Sequence, residues 1–245
     1  MASEEAILAK LRSMPPAQAE AFTRRYLIEG YKKSLYRTAK GLLGYHDINW
    51  STHGMIIKAL EAPTTRKLVC VPRGCFKSSI AVVAYCIWRI INNPNVRILI
   101  DSELYSNSAT FLREIKAHLR SERVVSLFGE FYNDQNWNEG ETTVKQRTKA
   151  LKESTITCGG VGTTKVGQHY CTVLGDDYNS PKNTMTHEGR KKVIDHIRYN
   201  TSILEPTGTY VFTATRYHEE DATGFILRDL VGISIEEAIK RSQAA

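Results

Sequence analysis

The sequence predicts an α/β fold in which a largely parallel sheet is covered by helices on both faces. From Lys67 onward, short apolar runs alternate with amphipathic stretches of helical period, the pattern of strands joined by crossover helices. Before residue 61 the pattern is helical only, and three of the later apolar runs end in clusters of polar or charged residues. Ligands of such sheets bind beyond the carboxyl ends of the strands, so those clusters are where chemistry is expected.

In chain order, residues 1–60 form an N-terminal helical segment, with Ile7, Leu8 and Leu11 and then Phe22, Tyr26, Leu27 and Tyr31 at helical spacing. Pro15 and Pro16 divide it into separate helices. A core over 61–230 opens with the strand "KLVCV" (67–71). A helix over 78–92 follows, with Ile80, Val83, Ala84, Ile87, Ile90 and Ile91 on one face, ended by Asn92-Asn93-Pro94. "VRILI" (96–100) is a second strand and 104–119 a helix. The stretch 121–153, with the turn-rich "YNDQNWNEGE", is an insertion holding a β-hairpin or loop. "STITCG" (154–159) and "YCTVLG" (170–175) are strands, 184–203 is a helix, "TYVFTAT" (209–215) is a strand, and a last helix starts near 219.

The chain has 245 residues, 42% apolar and 24% charged, enough for one large or two small domains with a substantial core. Lys and Arg number 33 against 26 acids, a net charge of +7 that fits a polyanionic partner and fits a solvated basic surface equally. The five cysteines are odd in number and contain no C-x-x-C pair, which argues for a reduced intracellular protein without zinc or disulfides. The N-terminus is acidic and amphipathic, unlike a signal peptide, and no apolar stretch approaches the ~20 residues that span a bilayer, so a soluble protein without a membrane partner is expected.

Three strand ends carry the candidate chemistry. "VPRGCFKSS" joins a strand to a helix, the context of a phosphate loop, although two glycine positions of G-x-x-x-x-G-K-[ST] hold Val71 and Phe76. Here Lys77 would reach β- and γ-phosphates, Ser78 would meet Mg²⁺, and the backbone from Pro72 through Arg73, Gly74, Cys75 and Phe76 to Ser79 would surround the nucleotide. Phe76 would need a backbone conformation that normally goes to glycine. "YCTVLGDDYNS" runs an apolar strand into Asp176 and Asp177, as for a metal carboxylate followed by a water-orienting acid, with a plain turn as the alternative. "TYVFTATRYHEED" brings Thr213 and Thr215 along a strand toward Arg216 and His218; alone, it reads more readily as an edge strand with a charged turn. In this order the three segments predict a three-layer P-loop NTPase core, RecA-like and of the additional-strand type, with the third strand between the other two.

Together, "VPRGCFKSS", "VLGDDYNSPKN" and "FTATRYHEEDATG" resemble the ATPase domain of the large terminase subunit, the DNA-packaging motor of tailed bacteriophages. The upstream "GLLGYHDINWSTHGMIIKALE" is similar to that family's segment before the phosphate loop, and the resemblance spans roughly residues 35–230. It implies ATP and Mg²⁺ as cofactors, with Lys77 on the β/γ-phosphates, Ser78 and Asp176 on the metal, and Asp177 as catalytic acid. That acid is usually Glu in the family, one methylene longer. Arg73 matches the loop arginine that contacts phosphate or relays closure between lobes, Thr213 and Thr215 fall in the γ-phosphate-sensing motif, and His53 or Trp50 matches the adenine side. The arginine supplied by a neighbouring subunit stays unassigned among Arg123, Arg147 and Arg216.

The same resemblance implies double-stranded DNA, a portal protein and a small terminase subunit as partners. It also implies a homo-oligomeric ring on the procapsid, or a monomer in isolation, working in the host cytoplasm. Residues 231–245 would begin a linker to a nuclease domain that the sequence does not include, so ATP hydrolysis without DNA cleavage is expected. Candidate DNA-gripping residues are the Lys and Arg of 145–152 and 190–198, which also fit a solvated surface. The competing readings are a DNA-binding or assembly module with a vestigial nucleotide site, and a helicase-like ATPase.

Overall fold

A computed structural model describes residues 9–232, together with Ser234, Glu236, Glu237, Ile239 and Lys240. Ile7, Leu8 and most of the 231–245 segment lie outside the described residues. Helix α1 (Pro16–Lys33) starts at the two prolines: Pro15 is its N-cap and Pro16 its first residue, where a missing N–H leaves no bond unmade. None of its residues is fully buried. It is held by long polar reaches, the Trp88 indole N–H to the Lys32 carbonyl at 2.9 Å and the Arg24 guanidinium to the Leu127 carbonyl at 3.0 Å. Helix α2 (Leu35–Arg37) widens into a π turn (Thr38–Leu42), and α3 (Trp50–Glu61) is capped by Asn49, whose side chain accepts the Thr52 N–H at 2.9 Å.

Six strands follow: β1 (Arg66–Cys70), β2 (Ile98–Ser102), β3 (Glu141–Thr142), β4 (Ile156–Gly160), β5 (Tyr170–Asp176) and β6 (Leu204–Ala214). Their order across the sheet is β1-β6-β5-β2-β4-β3, parallel throughout except that β3 runs antiparallel to β4. The last strand in sequence therefore lies between β1 and β5, as expected. The connections hold α4 (a π turn, Ser79–Ala84, continuing as Tyr85–Asn92), α5 (Tyr105–Leu119), α6 (Glu122–Phe128), α7 (Pro181–Thr184) and α8 (His187–Ser202). Helix α9 (Ala222–Phe225, widening over Ile226–Val231) comes last.

Alternation along the strands divides the interior into two cores. Ile98 and Ile100 of β2 pack with α2, α3, α4 and α5, whereas Leu99 between them packs with Val193 and Ile197 of α8 on the other face. β2 is buried along its whole length, which is the physical reason it reads as a continuous apolar run. Residues Leu35 to Leu60 belong to the same core as α4.

The structure amends the expected elements in three places. β2 begins two residues later than predicted and runs on through Asp101 and Ser102, because the sheet buries those polar residues too. The 121–153 stretch contains helix α6, absent from the sequence reading, besides the short antiparallel β3. β6 starts at Leu204, well before the predicted 209, with a register irregularity against β5 between Tyr170 and Thr172.

Arg97 closes the amino ends of the sheet. It sits just before β2 and pairs with Glu205 on β6 and with Glu153, 3.4 Å away, ahead of β4. Glu153 is buried; burial alone would raise its carboxyl, but the His169 amide at 2.8 Å and Arg97 outweigh this and hold it below the ordinary value. A depressed carboxylate contributes stability above its unfolded pKa and loses it as pH falls through the folded one. Urea unfolding of Arg97→Ala is expected to show a loss of about 3 kcal/mol, because Glu153 is left buried without its cation. Glu153→Gln is expected to flatten the acid limb of the stability profile.

Candidate functional site

The carboxyl ends of β1, β6 and β5 lie side by side, and each delivers one of the three polar clusters. β1 runs into the loop Val71–Phe76, after which Lys77 and Ser78 open helix α4. Gly74 has φ 83° and Phe76 φ 51°. Among the described non-glycine residues only Phe76 and Asp177 (φ 42°) have positive φ. Such conformations cost on the order of 1–3 kcal/mol and persist only where the surroundings impose them. Both strained residues flank Lys77.

Phe76 escapes the missing glycine by turning its ring onto α3. It meets His53 edge-to-face, centroids 5.5 Å apart at 85°, while the residue still lines the cleft. His53 is buried and bonded through Nδ1 to Asn49 at the start of α3, so it backs the loop and is not among the residues lining the cleft. Trp50, half exposed, packs edge-on against Tyr36.

The convergence of side chains is tight. The Lys77 ammonium lies 2.8 and 2.7 Å from the two oxygens of Asp177 and also donates to the Thr215 hydroxyl. Ser78 Oγ donates to Asp176 Oδ1 at 2.7 Å, and Thr213 Oγ1 donates to the same oxygen at 2.5 Å. These bonds join positions 98, 100 and 138 residues apart in the chain. The two threonines thus separate: Thr213 is buried and holds Asp176, while Thr215 faces Lys77. Arg73, Gly74, Phe76, Lys77, Ser78, Ser79 and Asp177 line an open cleft of about 490 Å³. Pro72 is exposed and Cys75 half-buried on the same loop.

Asp176 is buried, and burial pushes its carboxyl above the ordinary range; the Thr213 and Ser78 hydroxyls pull it back in part, and the neighbouring Asp177 raises it further. An acid whose pKa rises on folding favours the fold when protonated, and that contribution is lost as pH climbs through the folded pKa. Asp176→Asn is therefore expected to equal or exceed the parent in urea stability near neutral pH, with the difference closing in acid.

Among the described residues no cluster of three or more His, Cys, Asp or Glu could hold a metal by itself. Ser78 Oγ and the Asp176 carboxylate are nevertheless two adjacent hard oxygen donors, a set that suits Mg²⁺ when phosphate and water complete its shell.

Tyr217 and Asp221 lie in the segment "FTATRYHEEDATG", but the sequence assigned neither a role. Arg73 donates to the Tyr217 hydroxyl and lies over its ring, 5.7 Å from the centroid. Asp221 is fully buried, accepts the backbone N–H groups of Tyr217 and His218, and caps α9 through the Gly224 N–H at 3.0 Å. A Ser/Thr/Asp cap ahead of a short helix was the available signal.

The three candidate arginines part company. Arg147 binds the carbonyls of Glu153 and Val96 at the amino ends of the strands, away from the cleft, and Arg123 binds the Gly41 carbonyl. Arg216 follows β6 and reaches the His218 carbonyl at 3.2 Å. On α8, Arg190 pairs with Glu220 at 2.9 Å, while Lys191, Lys192 and Arg198 are exposed. No described helix is long and apolar enough to cross a membrane. No protein-family model matches the sequence, and none of the curated proteins matches it significantly.

Proposed function

We propose that the chain is a Mg²⁺-dependent ATPase of the P-loop, additional-strand type, and that it is the motor domain of a phage DNA-packaging terminase. The observation that carries the ATPase reading is the meeting of Lys77, Ser78, Asp176, Asp177 and Thr215 at one cleft, from three segments far apart in sequence. A strand bearing Thr213, with Thr215 just past its end, lies between the loop strand and the acid strand and supports the same reading.

In this reading Lys77 and the loop backbone bind the β- and γ-phosphates at the start of α4, where N–H groups and a positive dipole end face the anion. Ser78 and Asp176 hold Mg²⁺, which when bound neutralises charge on the phosphates. Asp177 orients water for in-line attack on the γ-phosphate, and Thr215 senses that phosphate through the lysine they share. Catalysis of this kind rests on positioning and charge rather than on covalent chemistry.

The packaging role rests on the resemblance of the three motifs and on the net charge of +7. Double-stranded DNA, the portal and the small subunit are the partners it proposes, in a ring on the procapsid. Lys191 and Lys192, exposed on α8, are available for a backbone grip, and binding of this sort weakens steeply with salt.

Steady-state turnover tests the enzyme reading. Lys77→Ala and Asp176→Ala are each expected to lower ATP hydrolysis by about 100-fold or more, as loss of phosphate and metal ligands does. Turnover of the parent chain no faster than both variants would sink it. Phe76→Gly, which relieves the positive φ, is expected to retain turnover.

A further inference from the structure

Another buried carboxylate lies on the opposite face of the sheet from Asp176. Asp101, near the carboxyl end of β2, is 1% exposed, and its Oδ2 accepts from three side chains: Tyr178 Oη at 3.0 Å, His196 Nε2 at 2.6 Å, and the Asn200 amide. The Gly162 N–H points to His196 Nδ1 at 3.4 Å, so Nε2 carries the proton that bonds Asp101. Among the described residues Asp101 Oδ1 has no hydrogen-bond partner, and the sheet is hollowed to admit it: a Cβ at Gly159 on β4 would stand 2.6 Å from this oxygen.

Tyr178 is the link to the cleft. It immediately follows Asp177, is fully buried, and folds back over β5, where a Cβ at Gly175 would come within 2.7 Å of its hydroxyl. The Asn200 amide and the Tyr210 hydroxyl also donate to that hydroxyl, at 3.0 and 3.3 Å, and the ring packs on Phe212 and edge-on to His196. Asp176 and Asp177, although adjacent, both turn their carboxylates to the start of α4, to Ser78 and Lys77, before Tyr178 returns to the α8 face; the alternation of an extended strand must therefore break in a local reversal. Asp177 makes that reversal at φ 42°, with its N–H bonded to the Thr213 carbonyl at 3.0 Å. Neither Tyr178 nor Asp101 lines the cleft.

We propose that Asp101 and Tyr178 are positioning residues: by anchoring the tyrosine on the far face of the sheet they hold Asp177 in its left-handed conformation, with its carboxylate on Lys77. The inference rests on the ATPase reading for its kinetic consequence but not for its structural one. A buried carboxylate stripped of one donor keeps its desolvation cost, so the anchor weakens when the tyrosine hydroxyl is removed.

The test uses Tyr178→Phe, which keeps the ring, and Asp101→Asn, which keeps an acceptor of the same shape, in the full chain. Two readouts are taken: ATP turnover, and amide hydrogen exchange resolved at Asp177 and in β1 and β6. Both variants are expected to lower kcat about tenfold or more while KM changes by about twofold at most, since an ångström of misplacement affects the reacting geometry and not ground-state binding. The Asp177 amide is expected to lose about tenfold or more of its protection while β1 and β6 amides keep theirs. Unchanged kcat in a turning-over parent, or an Asp177 amide as protected as in the parent, would overturn the proposal. A uniform loss of protection across the sheet would also overturn it, in favour of a stability role alone. Should the parent hydrolyse no ATP, the function reading fails by itself, and selective exchange at Asp177 still decides the positioning role.

Discussion

The Asp176 carboxylate is the interaction on which the cleft depends. One of its oxygens accepts from Ser78 at the start of α4 and from Thr213 on β6, so a single buried group ties together the loop helix, the central strand and the strand between. Burial makes that carboxylate costly when ionised, and two hydroxyls offset only part of the cost. The sheet tolerates the expense because β5 is buried from Thr172 to Asp176 and flanked by β6 and β2, leaving little freedom for the acid to turn toward water. Asp177, part-exposed and paired with the buried Lys77, then forms the outer layer of the same cluster.

Much of this was legible in the sequence because the same physics writes both. Strands covered on two faces must be apolar throughout, so β2 and β5 stand out as short runs, and an acid ending such a run has to be explained by a partner. That argument found Asp176 and Asp177. The order of the three clusters along the chain also anticipated β6 lying between β1 and β5. Phe76 was correctly marked as a residue in a glycine's place: it has positive φ, and its ring is accommodated by His53.

What stayed hidden depends on contacts between distant segments. Asp101 ends an apolar run just as Asp176 does, yet the predicted strand stopped at Ile100, because nothing near Asp101 in sequence names Tyr178, His196 and Asn200 as its donors. Gly159 and Gly175 were placed in predicted strands, but nothing local shows that their missing side chains make room for Asp101 and Tyr178. Helix α6 has only seven residues and one fully buried side chain, Val124, too short a stretch for periodicity to register. Arg147, one of the candidates for the arginine of a neighbouring subunit, donates to the carbonyls of Glu153 and Val96 at the opposite end of the sheet from the cleft, contacts that no local pattern announces.

The place of β1 has a consequence for how the molecule is built. This strand and its loop are made early in synthesis, but its neighbour in the sheet is β6, and the Lys77 contact to Thr215 closes a span of 138 residues. Closing so long a loop costs about 4 kcal/mol in chain entropy before the pairing returns anything. Non-local parallel pairing is also slow. The ribosome must therefore deliver nearly all of the sheet before the loop strand can dock, and the cleft is the last part of the chain to acquire its shape. Until then β1 remains an apolar strand without a neighbour, the segment of this protein most exposed to chaperones and to misassociation.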